Sequence, residues 1–185
     1  YKSLDHLLTK GIRTQNQNSQ LFASLSVRPI NHLQLYGSFF VDEVKFKRFK
    51  PSYPENNPIS YLVGFNWSGW PIKGLSLKGE FMRSYIACYT HSIDILAWTS
   101  NSYNMGHYMG DNAQSIYAEL AYRPVRGLLL KLSYTNDTKY NSYAYQRDNI
   151  SETISEKPFD KCIYRNNEVR LDGIFEPHPN MYLTL

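Results

Sequence analysis

The stretch that most restricts the fold runs from Ser115 to Asn136 and reads SIYAELAYRPVRGLLLKLSYTN. Ile116, Ala118, Leu120 and Tyr122 alternate with Ser115, Tyr117, Glu119 and Arg123. After the punctuation of Arg-Pro-Val-Arg-Gly, Leu128, Leu130, Leu132 and Tyr134 alternate with Leu129, Lys131, Ser133 and Thr135. Successive side chains on a strand point to opposite faces, so the pattern predicts a β-hairpin with one apolar and one charged surface. Each arm has about nine or ten residues, the length that crosses a bilayer as a tilted strand.

The same device recurs along the chain. Leu21, Ala23, Leu25 and Val27 share a face, as do Leu33, Leu35, Gly37, Phe39 and Val41. Further series are Ile59 to Trp67, Leu75 to Phe81 and Val169 to Phe175, with Met181 to Leu185 as a last strand. The short links VRPINHL, GWPIKGL, YRPVRGL and FEPHPNM each hold a Pro shortly before an apolar strand start, a loose hairpin repeat. Between them lie long loops at about 45–58, 88–112 and 137–165, so short and long connections alternate. Tight turns on one side and long loops on the other are the pattern of an outer-membrane barrel. A Greek-key sandwich has no reason to sort its loops in this way. The expected fold is therefore all-β, an antiparallel up-and-down transmembrane β-barrel. Residues 1–185 would form part of a single such domain, a segment of about eight strands of a larger barrel.

The charges fit this picture. Lys78, Glu80, Glu119, Lys131, Arg170 and Asp172 all fall on the polar face and are expected to line a lumen. Trp67, Tyr122 and Tyr134 sit near the ends of the apolar face, where rings suit a membrane interface. Arg83 breaks the pattern, so it either snorkels at the outer rim or follows a bulge. Low mean hydropathy and the lack of any run of about 20 apolar residues argue against membrane helices, not against a barrel. The net charge of +4 is scattered, without the basic stripe of a nucleic-acid binder. Ser3 could cap one helical turn with Leu4, Leu7 and Leu8. The stop at Leu185 within a strand suggests a piece of something longer.

No catalytic signature stands out, and the chain is expected to be non-enzymatic, without cofactor or metal. Cys88 and His91 alone are a weak metal hint. Cys88 and Cys162 fall in loops on one side of the sheet, and would form either a disulfide or two separate thiols. Two Asn-x-Ser/Thr matches, at Asn136 and Asn149, would carry little meaning in the bacterial outer membrane that the barrel pattern implies. The polar face reads either as a structural brace, with Lys131 paired to Glu119, or as a passage for a polar solute. The loop from Cys88 to Asn112 is the candidate binding site, gathering Trp98, Tyr103, Asn104, His107, Tyr108 and Asp111. Flat rings beside amides and acids combine stacking with directed hydrogen bonds, as a sugar requires. Equally, such residues can simply pack a large ordered loop.

LYGSFFVDE at Leu35 to Glu43, GEFMRSYIACYTH at Gly79 to His91, NSYNMGHYMGDNA at Asn101 to Ala113 and the AYRPVRGLLLKLSY hairpin together resemble the Wzi-like capsule assembly family of outer-membrane barrels. The resemblance covers roughly Leu21 to Tyr134. It departs at Cys88, in the loop from Asp137 to Arg165, and in the missing N-terminal half of the family. It implies a large barrel that binds exported polysaccharide at the bacterial surface and helps assemble the capsule. Its partners would be outer-membrane lipid, polysaccharide and other outer-membrane proteins, and its long loops would face the cell exterior. The rival expectations are a porin or substrate-specific channel, and a scaffold subunit of a larger outer-membrane complex.

Overall fold

A computed structural model describes residues 20–42, 57–91, 97–101, 103–144, 146–147, 152–154, 156–178 and 181–184. The strands in chain order are β1 (Gln20–Ile30), β2 (Leu33–Asp42), β3 (Ile59–Ser68), β4 (Leu75–Ser84), β5 (Thr99–Ser100), β6 (Tyr103–Asn104), β7 (Ala113–Tyr122), β8 (Leu128–Tyr140), β9 (Gln146–Arg147), β10 (Glu152–Thr153), β11 (Cys162–His178) and β12 (Met181–Thr184). Eight of them form one sheet in the order β1-β2-β3-β4-β7-β8-β11-β12, each antiparallel to its neighbour. The remaining four make two small hairpins, β5-β6 and β9-β10, inside the long connections. Among the described residues there is no helix, and β1 does not pair with β12, so this is an open all-β meander. The predicted helical turn after Ser3 lies outside the described residues.

The register carries the alternation of single strands into a continuous surface. Leu25 pairs with Gly37, which pairs with Val63, which pairs with Phe81, which pairs with Ile116. Lower down, Trp67, Leu77, Leu120, Leu132 and Leu171 form a second row. A slip of one residue in any pair would move a strand's apolar set to the other side, so these rows are a stringent check on the reading. Away from its long-connection end no covering layer lies on this face among the described residues, and its large side chains stay open, Leu25 at 69% and Val169 at 73% exposure. The opposite face carries the charged residues, with Lys78 across from Glu119 and Lys131 across from Asp172.

Because the sheet is a meander, all short connections fall at one end and all long ones at the other. Gly74 and Gly127 sit at the same place in two short turns, at φ of +78° and +83°. A Cβ at Gly74 would approach the Arg123 carbonyl oxygen to 2.3 Å, and one at Gly127 the Glu176 carbonyl oxygen to 2.5 Å. Each turn therefore needs glycine twice over, for its backbone angle and for its close neighbour. The recurring Pro-Ile/Val-Lys/Arg-Gly-Leu sequence is the mark of that geometry.

Buried residues concentrate at the other end. Phe40, Val41, Met82, Ile86, Cys88, Tyr89 and Ala113 are the main enclosed apolar groups, and all lie near the long connections. Two boundaries differ from the sequence reading there. The expected loop at 137–165 is shorter, because β8 runs on to Tyr140 and β11 starts at Cys162, with Thr138 opposite Arg165. Ladder hydrogen bonds belong to the backbone, so pairing outlasts the apolar alternation that made the strands visible. Arg83 follows no bulge: it pairs regularly with Tyr61 and Gln114. Its guanidinium lies over the Phe159 ring, 3.9 Å from the centroid. Phe159 comes from the β8–β11 connection, so that segment covers the one cation on the apolar side of β4.

Candidate functional site

The described residues between β4 and β7, 85–91, 97–101 and 103–112, fold back over the polar face at its long-connection end. Three side chains tie this segment down. The Tyr89 hydroxyl donates to Ser60 Oγ of β3 at 2.6 Å. The Trp98 ring packs on Phe40 of β2, with centroids 5.0 Å apart. The Tyr108 hydroxyl donates to the Asp137 carboxylate of β8, at 2.8 Å from both oxygens, while Ser115 Oγ donates to the same group at 2.6 Å. Phe40, Ser60, Ser115 and Asp137 are all polar-face positions, so the segment lies across that face, not beyond it.

Asp111 is the hub of this arrangement. Its carboxylate accepts from the Tyr89 amide at 2.7 Å, from Thr90 Oγ1 at 2.9 Å and from the Tyr143 hydroxyl at 2.5 Å. Burial pushes its pKa up, against the pull of Tyr143, Thr90, the Tyr89 amide and the nearby Lys139 charge. Lys139 Nζ donates to the carbonyl oxygens of Met109 and Asp111. Asn112, at φ of +50°, links four places at once. Its amide donates to the Tyr85 carbonyl and its carbonyl accepts from Tyr140. Its side chain donates to the Asn141 carbonyl at 2.8 Å and accepts from the Phe159 amide at 2.9 Å. Asparagine tolerates this left-handed backbone better than most residues.

The residues expected to bind a sugar divide into two groups. Trp98 and Asp111 point inward and are spent on packing and hydrogen bonding, so they hold the segment and do not face a ligand. Tyr103 and Tyr108 are outward, 78% and 69% exposed. Asn104 Oδ1 accepts from the Gly106 amide and its Nδ2 donates to the His107 carbonyl, both at 2.9 Å, which closes the turn between them. A Cβ at Gly106 would lie 2.3 Å from the Tyr89 ring, so this turn rests directly on the buried tyrosine. His107 is half-buried beside Tyr108, with ring centroids 4.2 Å apart, and burial lowers its pKa. What results is two exposed rings on one segment, Tyr108 with the His107 imidazole at its side. Sequence reasoning missed the supports Tyr89, Asn112, Lys139, Tyr143 and Phe159. The Gly-Asp-Asn run before β7 was a turn signal that could have singled out Asn112.

The six charges of the polar face are brought together as a stripe. Lys78 Nζ lies 3.1 Å from Glu80, and Lys131 Nζ 3.7 Å from Glu119. Arg170 and Asp172 are 2.9 Å apart. Tyr36 donates to Glu80 at 2.6 Å, lying across Gly64, where a Cβ would come within 2.6 Å of its ring. The expected Lys131–Glu119 brace is thus present. Below the stripe, toward the short turns, an open groove of about 680 Å³ is lined by His32, Asn66, Lys78, Glu119, Arg123 and Lys131.

The cysteines form no disulfide, which corrects that alternative of the sequence reading. Cys88 is enclosed with Phe40 and Tyr89, and burial drives its thiol pKa well up, whereas Cys162 is exposed at the start of β11 with its thiol toward the Tyr164 carbonyl. Among the described residues no three His, Cys, Asp or Glu side chains gather as metal ligands.

Fold and site together define an antiparallel β-meander with one open apolar face, one charged face and an aromatic-bearing segment over one end. Comparison with protein-family models, with curated proteins and with solved structures found no match to this chain.

Proposed function

We propose that this chain is part of the wall of an outer-membrane β-barrel whose long-connection end holds surface or exported polysaccharide without altering it. The observation that carries the reading is the apolar face, continuous across the sheet and open away from its long-connection end. Soluble monomers rarely expose contiguous apolar patches beyond a few hundred Å². Acyl chains satisfy such a face without a second protein layer, and an apolar hollow of about 720 Å³ beside Gly37, lined by Leu25, Val27, Leu35, Phe39 and Val63, suits one. The strand length supports a bilayer crossing, since β2, β3, β4 and β7 each have 10 residues. In a bilayer the free edges of β1 and β12 need partners, so further strands complete the wall.

The binding role rests on the exposed ring faces of Tyr103 and of Tyr108, the latter anchored by its hydroxyl on Asp137. A capsule-assembly role adds the Wzi-like residue resemblance to that geometry. A transport role is less well supported, because Tyr89, Trp98 and Tyr108 lie across the polar face where a solute would pass.

Glycan binding by the full-length protein, followed by calorimetry with purified capsular polysaccharide, tests the role. Replacing Tyr103 and Tyr108 together by Ala is expected to weaken binding about tenfold, from stacking worth about 0.5–1.5 kcal/mol per ring. Unchanged affinity would remove these rings from the site. Rapid uptake of small sugars by proteoliposomes would instead favour a channel.

A further inference from the structure

The short-turn end differs in charge from the rest of the molecule. Arg28, Lys73, Arg123 and Arg126 are all exposed there. Among the described residues, Glu176 is the only acid on this rim. No ion pair among the described residues engages those four cations. Charges so exposed and so unbalanced attract an anionic surface.

The rim also has a fixed geometry. The His32 carbonyl accepts from the Ser68 amide at 2.9 Å, the Gly74 carbonyl from Arg123 and the Gly127 carbonyl from Glu176, both at 2.8 Å. Each turn is thereby bonded to the next, and turns two strands apart repeat at about 10 Å. In two of them an exposed apolar residue directly precedes the cation, Ile72 before Lys73 and Val125 before Arg126. Trp70, also exposed, stacks on Trp67 at 5.8 Å between centroids. An apolar tip beside a long cationic side chain suits the boundary between acyl chains and phosphates, where the tip enters and the charge stays with the headgroup. Indole rings favour the same level.

We infer that the short-turn rim, through Lys73 and Arg126 beside the apolar tips Ile72 and Val125, binds the phosphate headgroups of anionic phospholipids, while Arg28 and Arg123 follow the charged face. This rests on the membrane-wall reading above, and specifies the leaflet that the short turns meet. The charge complementarity selects anionic over zwitterionic lipid, because only the former leaves net negative charge for the rim to neutralise.

The test uses the full-length protein in vesicles of equal phosphatidylglycerol and phosphatidylcholine, followed by gentle extraction and counting of the lipids retained. Phosphatidylglycerol should be enriched about fivefold, the factor that one surface cation supplies. The combined variant Lys73→Gln and Arg126→Gln should bring the ratio close to parity. High salt should do the same to the unaltered protein. Should the variant fail to insert, the salt series decides. Parity in the unaltered protein, or enrichment that survives salt, overturns the inference while leaving the membrane wall standing. A protein that enters neither lipid overturns the membrane wall and the rim's role together.

Discussion

The apolar side of the sheet and the segment over its far end achieve order by opposite means. On the sheet, Leu25, Val63 and Leu171 stay largely open, and order comes from backbone ladders and register. In the segment at 85–112, Cys88 and Asn112 are almost wholly enclosed, and order comes from side-chain hydrogen bonds gathered on Asp111 and Asn112. Under the membrane-wall proposal the first surface takes its stabilisation from lipid. The second takes it from partners within the chain, on β2, β3, β8 and the β8–β11 connection. A substitution should therefore act through the solvent on the sheet and through lost partners in the segment.

The largest effect is expected on the sheet. Leu130→Arg places a charge on the open apolar face, opposite Tyr122. It should cost more than about 1 kcal/mol of folding into lipid vesicles, between the interfacial value and the mid-bilayer value of about 2–4 kcal/mol. Lys131→Leu, one residue on and facing the other way, loses only a partly exposed ion pair with Glu119, worth about 0–1 kcal/mol. Equal effects, read from urea titrations of vesicle-bound protein, would abolish the distinction between the faces.

In the segment, Asp111→Ala leaves the Tyr89 amide, Thr90 and Tyr143 without their shared acceptor. The loss should be about 1–3 kcal/mol, and local. Hydrogen exchange at the Tyr89 amide should accelerate, while amides of β7 and β8 keep their protection. Uniform loss across the strands would mean the segment and the sheet are one cooperative unit.

The smallest effect is a pH dependence at His107. Burial holds its pKa below the ordinary 6.5, so the unfolded segment takes up the proton first as pH falls. The segment's stability is complete above pH 6.5 and declines as acidification proceeds from there through the lower folded value. Solvent access screens the effect, which should be visible as modestly reduced protection of the Tyr89 amide, corrected for intrinsic exchange. His107→Gln should remove this dependence. A ring titrating above 6.5 would reverse the sign.

The two regions were also unequally legible. Period two survives in a single strand, so the faces, the turns and the Lys131–Glu119 pair of one hairpin could be read before any pairing was known. The buried segment has no period. Trp98 and Asp111 look like ligand groups by type, and only the folded chain shows one packed on Phe40 and the other filled by three donors. Asn112 and Phe159 meet across 47 positions of sequence, which no local pattern reports. Tyr103 and Tyr108 were singled out by ring type beside amides and acids, and the fold leaves both rings exposed.

The central claim is that lipid touches the Leu and Val side of the sheet. Spin labels placed singly from Leu128 to Tyr134, in a form with Cys88 and Cys162 replaced, test it directly in vesicles. The account predicts that relaxation by membrane-dissolved oxygen alternates with period two, high at Leu128, Leu130, Leu132 and Tyr134 and low between them. A flat profile, or high exposure to a water-soluble nickel reagent at those same four positions, would contradict it.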